Sequence, residues 1–206
     1  MNRSRLFLAC SLLGPCFTKT SHAQHSGLGI KGGPLVSHTQ SATMSTNKVP
    51  GACLGAYFAL RAGPRMELQP ELLFTSLGAG YTMPDGGTST VRAIYAQVPL
   101  SFKLYLGNVL NGQVGLQMGR LLTAQQSTDA GRTDVTESHE TWDYGFIIGA
   151  GADMVSGIDL GLRYYNGLRP VMMDDSHHFP RNRALMLTAG YRVGRLKAPK
   201  LNRKRA

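Results

Sequence analysis

The sequence predicts an all-β chain, closed into an eight-stranded antiparallel up-and-down transmembrane β-barrel. Three observations carry this reading. Segments with an apolar residue at every second position recur from residue 27 to residue 194, several of them far longer than the roughly 5–6 residues usual in a globular sheet. The connections between them alternate between tight and long. Charge is nearly absent from the apolar face and gathers on the other.

The elements follow in order. Arg3 and Arg5 precede an apolar stretch from Leu6 to Phe17, and Ser21-His22-Ala23 places small residues before Gln24. Residues 1–23 therefore read as a signal peptide cleaved before Gln24, since the stretch is shorter than the roughly 20 residues a membrane helix needs. Cys10 and Cys16 leave with it, so Cys53 stands alone and no internal disulfide forms. The strands are expected at 27–38, 52–62, 66–81, 91–107, 113–125, 141–155, 158–168 and 183–194. In the second, Leu54, Ala56, Phe58 and Leu60 share a face. In the third, Leu68, Leu72 and Phe74 oppose Glu67, Gln69 and Glu71. The fourth, AIYAQVPLSFKLYLG, alternates without a break from Ile94 to Leu106 with Lys103 on its polar face. In the sixth, Tyr144, Phe146, Ile148, Ala150, Ala152 and Met154 align.

Residues 63–65, 108–111 and 156–157 are tight turns, whereas 40–50, 82–90, 127–140 and 171–182 are long and polar. An even number of antiparallel strands with short turns at one end and long loops at the other is the layout of an outer-membrane barrel, with the short turns in the periplasm. It also accounts for the strand lengths, because a tilted membrane strand needs about 9–11 residues. Closure leaves no unpaired edge in lipid. Tyr81, Trp142, Tyr144, Tyr165, Phe179 and Tyr191 fall near strand ends, where amphipathic rings suit the lipid–water boundary.

The net charge of +10 is misleading until it is located. Three cations lie in the signal peptide and six in residues 195–206, so the barrel segment 24–194 carries only +1. That excludes a basic nucleic-acid-binding body and leaves a basic C-terminal tail that is expected to be disordered. Setting the apolar register toward lipid turns Lys31, Arg61, Lys103, Arg163 and Arg192 inward, together with Glu67, Glu71, Asp143, Asp153 and Asp159. Five charges of each sign suit a narrow lumen, where an unpaired charge is costly. Eight strands enclose a space just wide enough for side chains. A cross-braced polar plug is therefore expected in place of an open channel, with Gly55, Gly145, Gly149, Gly151 and Gly161 relieving crowding inside. A soluble lipocalin-like barrel would invert these faces and place Val98, Leu100 and Phe102 in a ligand cavity.

The segments LQPELLFTSLGAGY, YAQVPLSFKLYLG, DYGFIIGAGADM, LGLRYYNGLRP and NRALMLTAGYRVG occur in that order. Together they resemble the PorT-like family of outer-membrane β-barrel proteins, in which Q-P-E-L-L, I/V-P-L, G-x-G-A-G, R-Y-x-x-G-L and G-Y-R-F strands recur. The resemblance covers nearly the whole mature chain. It implies an eight-stranded barrel in the outer membrane of a Gram-negative bacterium, some of whose relatives assist secretion or surface attachment of other proteins. The chain departs from the pattern at Val193, where Phe is usual, and continues into its basic tail where members stop at an aromatic residue. That departure implies that insertion leans on Tyr191.

No motif assigns catalysis, a cofactor or a metal. GLGIKG (27–32) matches G-x-G-x-x-G but lacks the preceding strand and following helix that a dinucleotide site needs. DDSHHF (174–179) concentrates carboxylates and histidines in one loop, with His139 and Glu140 in another, yet no fixed four-ligand set is defined. GFIIG (145–149) lacks the apolar 20-mer of a helix-packing motif. Ser37-His38 has no nucleophile elbow around it. The expected function is a non-enzymatic, monomeric outer-membrane protein whose loops at 40–50, 127–140 and 171–182 serve attachment, partner binding or assistance to surface protein export. Its partners would be outer-membrane lipid and a surface or secretion protein, with no nucleic acid. A small pore and a lipid-modifying enzyme are the alternatives.

Overall fold

The computed structural model describes residues 26–40, 46–82, 87–128, 131–171 and 180–196. Residues 1–23, read from the sequence as a signal peptide, the DDSHHF loop and the tail beyond 196 lie outside the described residues. The strands are β1 (Ser26–Gln40), β2 (Thr46–Arg61), β3 (Met66–Thr82), β4 (Thr88–Leu106), β5 (Leu110–Thr128), β6 (Gly131–Asp134), β7 (Trp142–Asp153), β8 (Ile158–Pro170) and β9 (Arg181–Leu196). Every pairing is antiparallel, in the order β4-β3-β2-β1-β9-β8-β7-β5, and β4 pairs with β5 to complete the ring. Eight strands make the barrel, as the periodicity requires.

β6 is an addition to that reading. The segment 127–140 was expected as a plain loop. Instead β5 outruns β7, which meets it only from Leu110 to Arg120, and residues 131–134 fold back to pair with Gln125–Thr128. β2 also begins six residues earlier than expected, shortening the loop at 40–50.

Both chain ends of the barrel and the three tight turns lie at one mouth; the long connections lie at the other. Gly107 (φ 83°) and Gly157 (φ 96°) supply the left-handed backbone that closes two of those turns. The outward face is an apolar belt: Leu116 is 69% exposed, Leu54 67%, Ile30 57% and Leu162 50%. On the inward face Glu67, Gln69 and Ser101 are completely buried. A soluble protein does not present an apolar surface on this scale. The lipocalin-like inversion is therefore overturned: Val98, Leu100 and Phe102 point away from the lumen.

The filling of the lumen differs from the expected polar plug in its outer half. There Leu35, Leu77, Tyr95, Leu121, Ile147, Tyr165 and Met186 form a buried apolar cluster. Tyr165, expected at the lipid boundary, is 1% exposed and belongs to this cluster. Trp142, Tyr144 and Tyr191 do face outward, with Trp142 and Tyr144 stacked 6.5 Å apart. Tyr81 is only partly exposed, and Phe179 lies outside the described residues.

Candidate functional site

The lumen is a polar stack on the tight-turn side and an apolar stopper on the other. The inward row of β3 spells this out: Glu67, Gln69, Glu71, Leu73, Thr75, Leu77, Ala79. The inward row of β4 runs antiparallel and mirrors it, from Val91, Ala93 and Tyr95 to Gln97, Ser101 and Lys103.

Glu71 is the centre of the polar stack. Its carboxylate accepts hydrogen bonds from Arg163 at 2.7 and 2.8 Å, Gln69 at 2.7 Å, Lys31 at 3.1 Å and Ser101 at 3.4 Å. The paired guanidinium nitrogens form a two-pronged contact, the strong geometry for carboxylate recognition. Arg163 also donates its Nε to Gln113 at 2.8 Å. Gly149 makes room for this arginine: a Cβ there would sit 3.1 Å from the Arg163 Cγ and 2.4 Å from the Leu162 carbonyl. Lys31 lies 4.8 Å from the centre of the Tyr57 ring, adding a cation–π contact.

A second layer lies nearer the tight turns. Lys103 donates to Asp153 at 3.0 Å and lies 3.9 Å from Glu67. Arg192 bridges Glu67 at 3.3 Å and Asp153 at 3.6 Å. The Tyr105 hydroxyl donates to Asp153 at 2.5 Å and lies 3.2 Å from Glu67, and Tyr57 donates to Asp159. Asn111 links the layers, donating to Asp153 and accepting from Gln113, each at 3.0 Å. Arg61 lies 3.9 Å from Glu67, but its side chain is 39% exposed. It sits at the mouth, not within the closed interior assigned to it from its register.

Eight of the ten charges inferred to face the lumen thus gather in two linked layers, and Arg61 reaches the second of them from the mouth. Asp143 lies apart, buried beneath the outer mouth, where Asn182 donates to it at 3.0 Å. Among the described residues no cation lies within 4.0 Å of it. Gln117 is also isolated: both of its side-chain polar atoms are buried without a protein hydrogen-bond partner. Gln117→Leu is therefore expected to raise the unfolding free energy by about 1 kcal/mol, measured by urea titration of the refolded barrel. A loss of stability would show that the amide is satisfied in the folded state.

The two mouths differ. At the tight-turn end a cavity of ≈ 330 Å³ is lined by Arg61, Tyr105, Asn108, Asp153, Asp159 and Arg192. Asp153 in its wall is the partner of Lys103. At the other end residues 135–140 close over the apolar cluster. Val135 packs on the cluster and donates its N–H to the Ala124 carbonyl at 3.0 Å. His139 is buried, its Nδ1 2.9 Å from the Val135 carbonyl, and Glu140 donates its N–H to Val171 at 2.9 Å. A cavity of ≈ 10 Å³ lies beneath, lined by Leu77, Tyr95, His139 and Asn182 among others.

Ser37 and His38 fall on opposite faces of β1. Ser37 points inward and donates its hydroxyl to the Gly78 carbonyl at 3.0 Å, and His38 pairs with Arg183 on the outer side. They cannot act as nucleophile and base. Gly27–Gly32 lies within β1, not before a helix. Cys53 is buried, with its Sγ 3.6 Å from the Gly33 carbonyl. No group of three or more metal-ligating side chains occurs among the described residues.

Residues 21–172 match the family described as "Outer membrane protein beta-barrel domain". No curated protein matches the sequence. Among solved structures, Neisserial surface protein A is similar over 81% of this chain and 98% of its own, at 12% identity and a TM-score of 0.53. The outer membrane protein OprG from Pseudomonas aeruginosa aligns over 86% and 98% at 9% identity and a TM-score of 0.49. The Outer Membrane Protein W of E. coli aligns over 84% and 100% at 16% identity and a TM-score of 0.44.

Proposed function

This chain belongs to the outer-membrane β-barrel domain family, and from that premise we propose that it is a closed, non-enzymatic anchor that presents its extracellular loops to a partner. The observation that carries this reading is the double obstruction of the lumen. Any solute would have to break the Glu71–Arg163 pair and then displace the Tyr95–Tyr165–Met186 cluster. The first step exposes buried charges without partners, and the second opens a close-packed apolar core.

The opposite faces taken by Ser37 and His38 support the absence of catalysis. The ordered strand motifs shared with PorT-like barrels favour a role in attachment or in assisting export of surface proteins. The structured segment 131–140, anchored to both β5 and Val171, is the best-defined element of such a surface.

Reconstituted into planar bilayers, the barrel is expected to give no resolved conductance steps in molar KCl. Steady single-channel openings of the unmodified protein would replace this reading with the small-pore alternative.

A further inference from the structure

The cavity at the tight-turn mouth has walls whose charges are not all spent on one another. Asp153 accepts from Lys103, Tyr105 and Asn111, and Arg192 spans Glu67 and Asp153. Those two are committed to the interior layer. Two others are not. Arg61 makes no hydrogen bond among the described residues. The one carboxylate within 4.0 Å of it there, Glu67, lies 3.9 Å from its Nε and already faces Lys103 and Arg192. The Arg61 guanidinium lies 5.1 Å from the centre of the Tyr105 ring, a contact that uses its face and leaves its edge donors unclaimed. Asp159 is the reverse case. It is 4% exposed, yet among the described residues no cation lies within 4.0 Å of it and its one side-chain donor is Tyr57.

Two glycines hold Asp159 in place. A Cβ on Gly29 would overlap the Tyr57 ring, so glycine is what lets that tyrosine cross β1 to reach the carboxylate. A Cβ on Gly190, the partner of Asp159 on β9, would lie 2.5 Å from its Oδ1. The carboxylate thus stands at a fixed point in the cavity wall on β8, and Arg61 stands in the same wall at the end of β2. A buried carboxylate without a counter-ion is costly, and the cavity is where a counter-ion can reach this one.

A ligand that uses both groups must carry both charges. A simple anion drawn to Arg61 would face Asp153 and Asp159, and a simple cation drawn to Asp159 would face Arg61 and Arg192. The wall as a whole is balanced, so it suits a ligand that is balanced as a whole. The volume of ≈ 330 Å³ falls at the small end of the range for ligand pockets, roughly 300–1,000 Å³. The short turns of such a barrel face the periplasm. We infer that this mouth binds a short zwitterionic peptide, with its carboxylate on Arg61 and its ammonium on Asp159. Arg61 offers the forked donor geometry that suits a carboxylate, and Asp159 keeps acceptor capacity beyond its bond from Tyr57. Free peptides and the peptides of the cell wall both present these two charges. The site lies at the end opposite the extracellular loops and is independent of what they bind.

The test titrates the chain from Gln24 onward, refolded into phosphatidylcholine nanodiscs, with dialanine, its N-acetyl form and its C-terminal amide. Isothermal calorimetry reads the affinities. Dialanine should bind about tenfold more tightly than either blocked form, as expected for one lost hydrogen bond to a charged group. Asp159→Asn should bind dialanine no better than the N-acetyl form, and Arg61→Gln no better than the amide. Arg65→Gln, exposed at the same turn but outside the cavity wall, should behave as wild type. Heat-dependent gel migration verifies that each variant is folded. Equal binding of the three ligands by the wild type, or binding of none, would overturn the inference, as would unchanged discrimination in Asp159→Asn and Arg61→Gln. A chain ending at Leu196 should bind as the full chain does. Binding that appears only after this truncation would give the mouth to the basic tail and overturn the assignment. Sedimentation with purified cell-wall sacculi separates the two sources: retention that dialanine competes away assigns the site to wall peptides, and dialanine binding without retention assigns it to free peptides. The three-ligand comparison uses only the wild type, so it decides the matter even if a variant does not fold.

Discussion

Glu71→Gln is expected to lower the unfolding free energy of the barrel by about 3–5 kcal/mol, the range for removing one partner of a buried ion pair. Glutamine keeps the volume, so packing is not the cause. What changes is charge: Arg163 and Lys31 are both nearly inaccessible to solvent and both converge on this carboxylate. With an amide there, two buried cations face each other with no anion between them. Their next carboxylate, Asp159, is already held by Tyr57. The glutamine would also turn an NH₂ group toward donors that need an acceptor. Urea titration in lipid vesicles, followed by the fluorescence of Trp142, the one tryptophan in the chain, measures the effect. The triple variant Lys31→Met, Glu71→Leu, Arg163→Met separates the energetics further. It should recover most of the loss, because a buried ionic cluster replaced as a unit by apolar groups is close to neutral. A loss below about 1 kcal/mol in Glu71→Gln would mean that the lumen is hydrated enough to solvate the freed cations.

The barrel itself was legible because its strands leave no ambiguity of period. From Ile94 to Leu106 one register is lipid-facing and the other is not, and a one-residue slip would reverse both. Parity assigns each charge a face for the same reason. Which charge meets which was not legible. Glu71 and Arg163 are separated by 92 residues, and their meeting depends on the stagger of eight strands, including register shifts at Leu28/Gly29 and Ile94/Tyr95. No local pattern encodes such a shift.

The apolar stopper is a different kind of miss. Its signal was present in the inward row of β3, which turns from Glu67 and Glu71 to Leu73 and Leu77. Sorting the inward face by charge alone hid it, because apolar residues on that face read as ordinary members of a long apolar strand. Tyr165 was misplaced for a related reason. Nearness to a strand end suggested the lipid boundary, but its odd register, shared with Arg163, puts it inside. The hairpin of β5 and β6 follows from β5 outrunning β7, a mismatch that appears only once the register is known. The outward cations near the long loops, such as Arg120, entered only the net charge of residues 24–194 and were not sorted by face and height.

The depth of the belt makes a final, quantitative expectation. Between Leu110 and Arg120 the outward row of β5 runs Leu110, Gly112, Val114, Leu116, Met118, Arg120, and Leu122 lies outward one step beyond. Ten residues separate Leu110 from Arg120; at roughly 3.3 Å per residue and a tilt of about 40°, they span about 25 Å along the barrel axis. That matches the apolar band of about 25 Å expected for such barrels. Leu116, near its centre and the most lipid-exposed of the row, should be the worst place for a charge. Leu116→Arg is expected to cost about 2–4 kcal/mol, whereas Leu110→Arg at the tight-turn rim should cost about 0–1 kcal/mol. The natural Arg120, paired with Trp142 at the start of β7, lies near the opposite rim. Side-chain volume and β-propensity are the same at both substitutions, so the difference between them isolates depth in the bilayer. The measurement is urea titration of each variant in vesicles of one lipid composition. Equal costs at 110 and 116 would place the row in water or in a protein interface, and the membrane boundaries drawn here from Arg120 and Leu110 would have to be abandoned.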